Sequence, residues 1–202
     1  MAAVTTAGDY AWFQFGIRHT PVAGVLHGLG QDRERPHFPS NLVGDFGGGS
    51  TYLVIGVLAA LLESRVSGEG QVVDAAIVDG SAHLNLMWAS MLAAGFGTEQ
   101  RSSNLLDGGI PYYALYATSD GRHMSVGPLE PQFYAELIDR LGIGDRVPAR
   151  HDFERMGELK EILTETFLTR TQAEWAEVFD GSDACCAPVL PMTEAAEHPH
   201  IK

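Results

Sequence analysis

Two stretches in the first half of the chain are dominated by apolar side chains, "GGSTYLVIGVLAALLES" and "IVDGSAHLNLMWASMLAAGF". The first predicts a helix from residue 47 or 48 to about 63. It is apolar on every face, which implies burial on every face. "SRVSGEGQ" closes it, with Gly68 and Gly70 as breakers. The second predicts another apolar helix over about 77–96, with Asp79 or Ser81 near its start. Between them "QVVDAAIVDG" offers a short strand over about 71–74. Two polar, Gly- and Pro-rich stretches read as loops: "GLGQDRERPHFPSN" at 28–41, and "GFGTEQRSSNLLDGGIPYY" after the second helix.

The pattern changes near residue 110. "YALYATSDGRHMSVGPL" alternates as two strands around Asp120-Gly121, a strong hairpin signal. "EPQFYAELIDRLGI" is an amphipathic helix with Pro131 in its first turn, where proline is tolerated, and Phe133, Leu137 and Leu141 at helical spacing. Two further helices are expected, over about 155–168 and 172–179. Thr171 and Glu174 have the spacing of a capping box at the start of the second. A short strand near 184–189 would close this module. The first hundred residues therefore read as mostly buried helix and residues 110 to about 190 as a small α+β module.

Composition sharpens that picture. The chain has 202 residues, 45 % of them apolar, enough to bury a core. Its net charge of −13 excludes nucleic acid and anionic membrane as natural partners, since neither would be attracted to it. The two cysteines, Cys185 and Cys186, are adjacent and lack zinc spacing, as expected of free thiols in a reducing cytoplasm. "MAAVTTAGDYAWFQFG" has no basic region followed by an apolar one, so no signal peptide is expected. The longest apolar run, residues 52–62, is too short to span a bilayer. A soluble cytoplasmic protein is the expectation.

The candidate chemistry lies at "NLVGDFGGGS". A helix start carries unpaired N–H groups and a partial positive charge that can hold an oxyanion. Glycines such as Gly47, Gly48 and Gly49 let a ligand approach the main chain. A carboxylate there, Asp45, could exchange a proton with a carbon acid held by those amides. The same residues also suit a plainer arrangement, with Asp45 capping the helix and the glycines allowing close helix packing. Glu130, between Pro128 and Pro131, is either a second acid of the site or a first-turn acid favoured by the helix dipole. Asp107 in "LLDGG" reads as a turn acid. The eight histidines show no paired ligand spacing, and no metal site is expected. A dinucleotide-loop reading of Gly44, Gly47 and Gly49 lacks the preceding strand and the downstream acid.

Beyond single residues, "GVLHGLG", "NLVGDFGGGS", "GVLAALLESRVSGEGQVVDAAIVDGSAHL", "NLLDGGIPYYALYATSDGRHMSVGPLEPQFYAEL" and "DACCAPVL" together resemble the family III CoA-transferases, and among these the α-methylacyl-CoA racemases. The resemblance runs from about Gly24 to the end. It implies an α+β fold: the central buried helices of a large domain within residues 1–100, and a small α+β domain over 101–202. Most of that large domain's N-terminal Rossmann-like half, which holds CoA, would be absent. It implies racemisation at C2 of 2-methyl-branched acyl-CoA thioesters, with Asp45 as an α-proton acid/base and Glu130 supporting an opposing histidine. It implies no metal or redox cofactor, CoA being part of the substrate, and an interlocked homodimer. The family's "GHDINY"-like histidine stretch would fall near Phe15, and "YAWFQFGIRHTPVAG" does not match it. His19 is close, but in a different local sequence, and is read as a solvent or turn histidine. The alternatives are a CoA-transferase of the same family, and a catalytically silent remnant that only folds or dimerises.

Overall fold

The computed structural model describes residues 3–4 and 20–202, so the expectations for Phe15 and His19 fall outside the described residues. The fold is α+β, and the chain divides into two compact units, Met1–Ser102 and Ser103–Lys202.

In the first unit a two-stranded parallel ribbon pairs β1 (Ala3–Val4) with β2 (Val72–Val73). A short helix α1 (Val25–Gly28) precedes the polar loop. That loop is pinned by Arg101, a buried side chain that donates to the carbonyls of His27 (2.5 Å), Asp32 (2.7 Å) and Arg33 (2.8 Å). Its donors are used by backbone, so burial of this charge is compensated by hydrogen bonds.

The first apolar helix starts earlier than its sequence predicts. A π-helical stretch, Leu42–Ser50, runs directly into α2 (Thr51–Ser67). The Phe46 N–H reaches the Asn41 carbonyl at 3.1 Å, five residues back. Ser50 Oγ and Thr51 Oγ1 donate to the carbonyls of Asp45 and Phe46, each at 3.0 Å and again five residues back. Glycines free the backbone for this wide turn, and the two hydroxyls reinforce its spacing. Gly68, at φ 78°, ends α2 in the left-handed region, where glycine carries no Cβ penalty.

The second apolar helix is broken. α3 (Ile77–Leu84) and α4 (Leu86–Ala93) are separated by Asn85, whose ψ of 3° interrupts the helix. Asparagine competes with the backbone for hydrogen bonds, which disfavours helix interiors.

The π-helical stretch lies on α3 with almost no gap. A Cβ on Gly80 would sit 1.8 Å from the Gly48 carbonyl oxygen, and one on Gly48 would sit 2.5 Å from Ser81 Oγ. A Cβ on Gly49 or Gly47 would meet Ile77 or Leu84 side chains at 3.0 Å. The glycine run therefore clears room for a helix.

The expectation of burial on every face is not met within this chain. α2 buries only Ala60, while Ile55, Leu58, Leu62 and Val66 are 56–87 % exposed. The first unit offers one neighbouring surface to a helix that is apolar all round. The bilayer estimate also changes. The continuous helix Leu42–Ser67 has 26 residues and is long and apolar enough, by length and composition, to cross a membrane. The apolar run alone is shorter because the glycine-rich π-helical stretch adds length upstream.

The second unit follows its sequence closely. β3 (Ala114–Ala117), β4 (His123–Val126) and β5 (Cys186–Pro188) form an antiparallel sheet in that order. The hairpin turns at Asp120-Gly121, with Gly121 at φ 76°. α5 (Pro131–Leu141), α6 (Met156–Phe167) and α7 (Gln172–Phe179) pack on it, and a short α8 (Met192–Ala195) follows β5. α5 buries Tyr134, Leu137, Ile138 and Leu141, the stripe expected of its period, with Phe133 only half-buried. The core centres on Phe167, stacked on Tyr116 at 5.1 Å and edge-on to Trp175 at 5.3 Å, while Trp175 Nε1 donates to the Phe167 carbonyl at 2.9 Å. The Thr171–Glu174 capping box forms as its spacing predicts. Gln172, buried beside it, donates to the carbonyls of His123 and Val189 and ties α7 to the sheet.

Gly80→Ala is expected to lower stability by about 3 kcal/mol through overpacking against the Gly48 carbonyl. Gly157→Ala, in α6 with open space around it, is expected to be neutral or slightly stabilising. Urea denaturation of both variants checks the contrast. A second expectation concerns acid. The Thr118 hydroxyl, then the Gln172 and Arg122 amides, hold the Asp120 carboxyl below its ordinary 3.8. A carboxyl depressed on folding stabilises the protein above its ordinary pKa, and that stability is lost as pH falls through the lowered value. Asp120→Asn should therefore flatten the acid limb of the stability–pH curve below about pH 4, measured by thermal melts across pH.

Candidate active site

Asp45 sits in the first turn of the π-helical stretch, not at its cap. The cap position is Asn41, which makes no side-chain cap bond. Because the helical ladder begins at the Phe46 N–H, the amides of Val43, Gly44 and Asp45 have no acceptor inside the helix. They form the positive end of a helix that continues to Ser67. The Asp45 side chain is half-buried, and its carboxylate has no hydrogen-bond or ion-pair partner among the described residues. An unengaged carboxylate in a first turn whose amides lie outside the helical ladder can hand a proton to, or take one from, a group bound there. The capping alternative for Asp45 is not what the structure contains, whereas the packing alternative for Gly47, Gly48 and Gly49 is.

One helical turn or more along, Tyr52 and His83 join α2 to α3 through a short hydrogen bond between the phenol and Nδ1, with the rings edge-to-face at 5.5 Å. This pair has no sequence signal, since the two residues are far apart and fit no motif.

Glu130 belongs to the second unit. It is the N-cap residue of α5, extended at φ −77° and ψ 144°, with its side chain exposed and not bonded back to the helix. Its carbonyl accepts the Tyr134 N–H at 3.0 Å. The preceding turn is anchored by the Gly127 N–H to the Cys185 carbonyl (2.9 Å) and the Leu129 N–H to the Gly127 carbonyl (3.0 Å). Burial first, and then the charge of Glu130, push the Cys185 thiol up, while Cys186, more deeply buried, rises to about 12. Neither thiol is poised as a nucleophile.

Asp107 is a turn acid, as its sequence suggests. Its carboxylate accepts from the amides of Asn104 (2.8 Å) and Gly109 (3.0 Å). No cluster of three or more His, Cys, Asp or Glu suited to a metal occurs among the described residues. A cavity of about 360 Å3 in the second unit is bordered by Arg146, Glu165, Arg170 and Trp175, and neither Asp45 nor Glu130 lines it.

The chain carries an apolar helix with an acid in its first turn in one unit and a small α+β module in the other, which defines an acid-bearing α+β protein. This chain belongs to CoA-transferase family III, whose family model matches residues 11–202. It is 40 % identical over 185 residues to the α-methylacyl-CoA racemase of Mus musculus, covering 91 % of this chain and 49 % of that protein. It is 39 % identical over 187 residues to the racemase of that name from Homo sapiens, covering 92 % and 49 %. Its fold is similar to the crystal structure of a CAIB/BAIF family protein from Brucella suis, with a TM-score of 0.69 at 18 % identity, covering 99 % of this chain and 55 % of the other. The chain thus spans about half the length of the curated relatives it matches.

Proposed function

We propose that this chain carries the acid half of a site that racemises C2 of 2-methyl-branched acyl-CoA thioesters. The observation that carries the reading is the unengaged, half-buried Asp45 carboxylate in a first turn whose own amides lie outside the helical ladder. The likeness to two α-methylacyl-CoA racemases supports it.

In this reading the first-turn amides hold the thioester oxygen. The Asp45 carboxylate takes the α-proton, the C–H bonding pair forms the C=C bond of an enolate, and the carbonyl pair moves onto oxygen. Return of a proton to the opposite face inverts the carbon. The amides act most strongly on the charge that develops during reaction, so they favour the enolate over the ester. Inversion needs a group on each face, or one group and a turning substrate. Glu130 is assigned the support of the opposing base. No metal or redox chemistry is required, because the thioester itself acidifies the α-carbon.

The exposed apolar face of α2 is assigned to contact with protein, as a homodimer. Its open aliphatic side chains, Ile55, Leu58, Leu62 and Val66, are the surface that a second copy would cover. Light scattering on the purified protein is expected to give a dimer, and a clean monomer would count against this assignment.

The chemistry is tested by incubating the protein with a 2-methylacyl-CoA in deuterated water. Deuterium should appear at C2, and Asp45→Asn should slow its entry by about 100-fold or more. Undiminished exchange in that variant removes Asp45 from the mechanism. Transfer of CoA between two acids, without exchange, would instead identify a transferase. Neither activity, with no CoA binding by calorimetry, would identify a silent remnant.

A further inference from the structure

Arg150 lies in "VPARHDF", a connecting segment between α5 and α6 with no periodicity and no motif to mark it. Its Nη2 donates a short hydrogen bond to the carbonyl of Leu129, the residue directly before Glu130. Its guanidinium lies over the ring of Tyr112 at 5.1 Å and over that of Tyr134 at 5.7 Å. Those rings pack edge-to-face at 5.3 Å, and both tyrosines are buried in the core of the second unit. Tyr134 is a residue of α5, whose cap is Glu130. The Arg150 Nε is buried without an acceptor among the described residues, and no carboxylate pairs with the guanidinium there. A cation placed in this way is not a surface ion pair. It is held by two ring faces, and it spends one hydrogen bond on a main-chain carbonyl and another, Nη1 to His151 Nε2 at 3.3 Å, on the adjacent imidazole.

We propose that Arg150 is the positioning residue for Glu130: stacked on Tyr112 and Tyr134, it clamps the Leu129 carbonyl and so fixes where the Glu130 side chain leaves the chain. The inference rests on the reading of Glu130 as a supporting acid. Three hydrogen bonds then fix the approach to that acid, at the Gly127 N–H, the Leu129 N–H and the Leu129 carbonyl. Only the last comes from a side chain. Without it, the peptide between Leu129 and Glu130 can rotate, and the carboxylate moves although α5 stays in place. Arg150 touches no reacting group and acts entirely through its neighbour's backbone.

The test combines proton exchange on 2-methylacyl-CoA with amide hydrogen–deuterium exchange over residues 127–134, using the whole protein. Arg150→Gln is expected to lower kcat by about 10- to 100-fold with KM little changed, the size of effect that misplacement by about 1 Å produces. Arg150→Lys, which keeps a donor for the carbonyl, should recover part of that loss. In a Glu130→Gln background, Arg150→Gln should add nothing, because the two act as one unit. An equal loss in both backgrounds would overturn the proposal. If Glu130→Gln alone leaves catalysis intact, or no activity is found, it is the reading of Glu130 that fails, and the amides then decide the clamp. Faster exchange over 127–134 in Arg150→Gln, with the melting temperature nearly unchanged, supports it. Unaltered protection there overturns it.

Discussion

The contact between the main chains of Gly48 and Gly80 is the constraint on which the first unit depends. A side chain at position 80 would overlap the Gly48 carbonyl, so two backbones meet where side chains normally keep helices 8–10 Å apart. That approach fixes the π-helical stretch against α3. It thereby fixes the turn that holds Asp45, three residues before Gly48. The wide turn and the close crossing have the same origin, a run of residues without Cβ atoms. The acid's surroundings are thus set by packing behind it, and the glycines seat a helix.

The second unit is organised by aromatic packing rather than by glycine. Phe167, Tyr116 and Trp175 form one stacked and edge-on cluster, and Gln172 and the capping box lock α7 to the sheet beside it. Near the start of α5, Tyr112 and Tyr134 carry Arg150, and the turn before Glu130 is tied by hydrogen bonds at Gly127 and Leu129. A flexible strand-to-helix junction becomes a defined one, while the side chain of Glu130 itself stays free and exposed. That combination, a fixed backbone and an unengaged carboxylate, is shared with Asp45.

Between the two units the contrast in surface is large. The second buries its stripes, whereas α2 leaves aliphatic side chains open along most of its length. A helix that is apolar all round can be satisfied only by neighbours on all sides, and the chain covers about half the length of its racemase relatives.

Much of this was legible in the residues. The hairpin at Asp120-Gly121, the stripe on α5, the capping box of α7 and the turn held by Asp107 all rest on interactions between residues close in sequence, so local rules reach them. The ordered motifs from Gly24 onward were enough to identify the family. Several features emerge only in the tertiary structure: the π-helical turn, the break at Asn85, the role of the glycine run, and the partners of Arg101 and Arg150. The first two are local but carry no pattern that sets them apart from an ordinary α-helix, whereas the others depend on atoms brought together from distant parts of the chain. A glycine can admit a ligand or a helix, and an arginine in a loop can face water or clamp a carbonyl. The sequence names the residue in either case, and only the neighbour it meets in space determines the role.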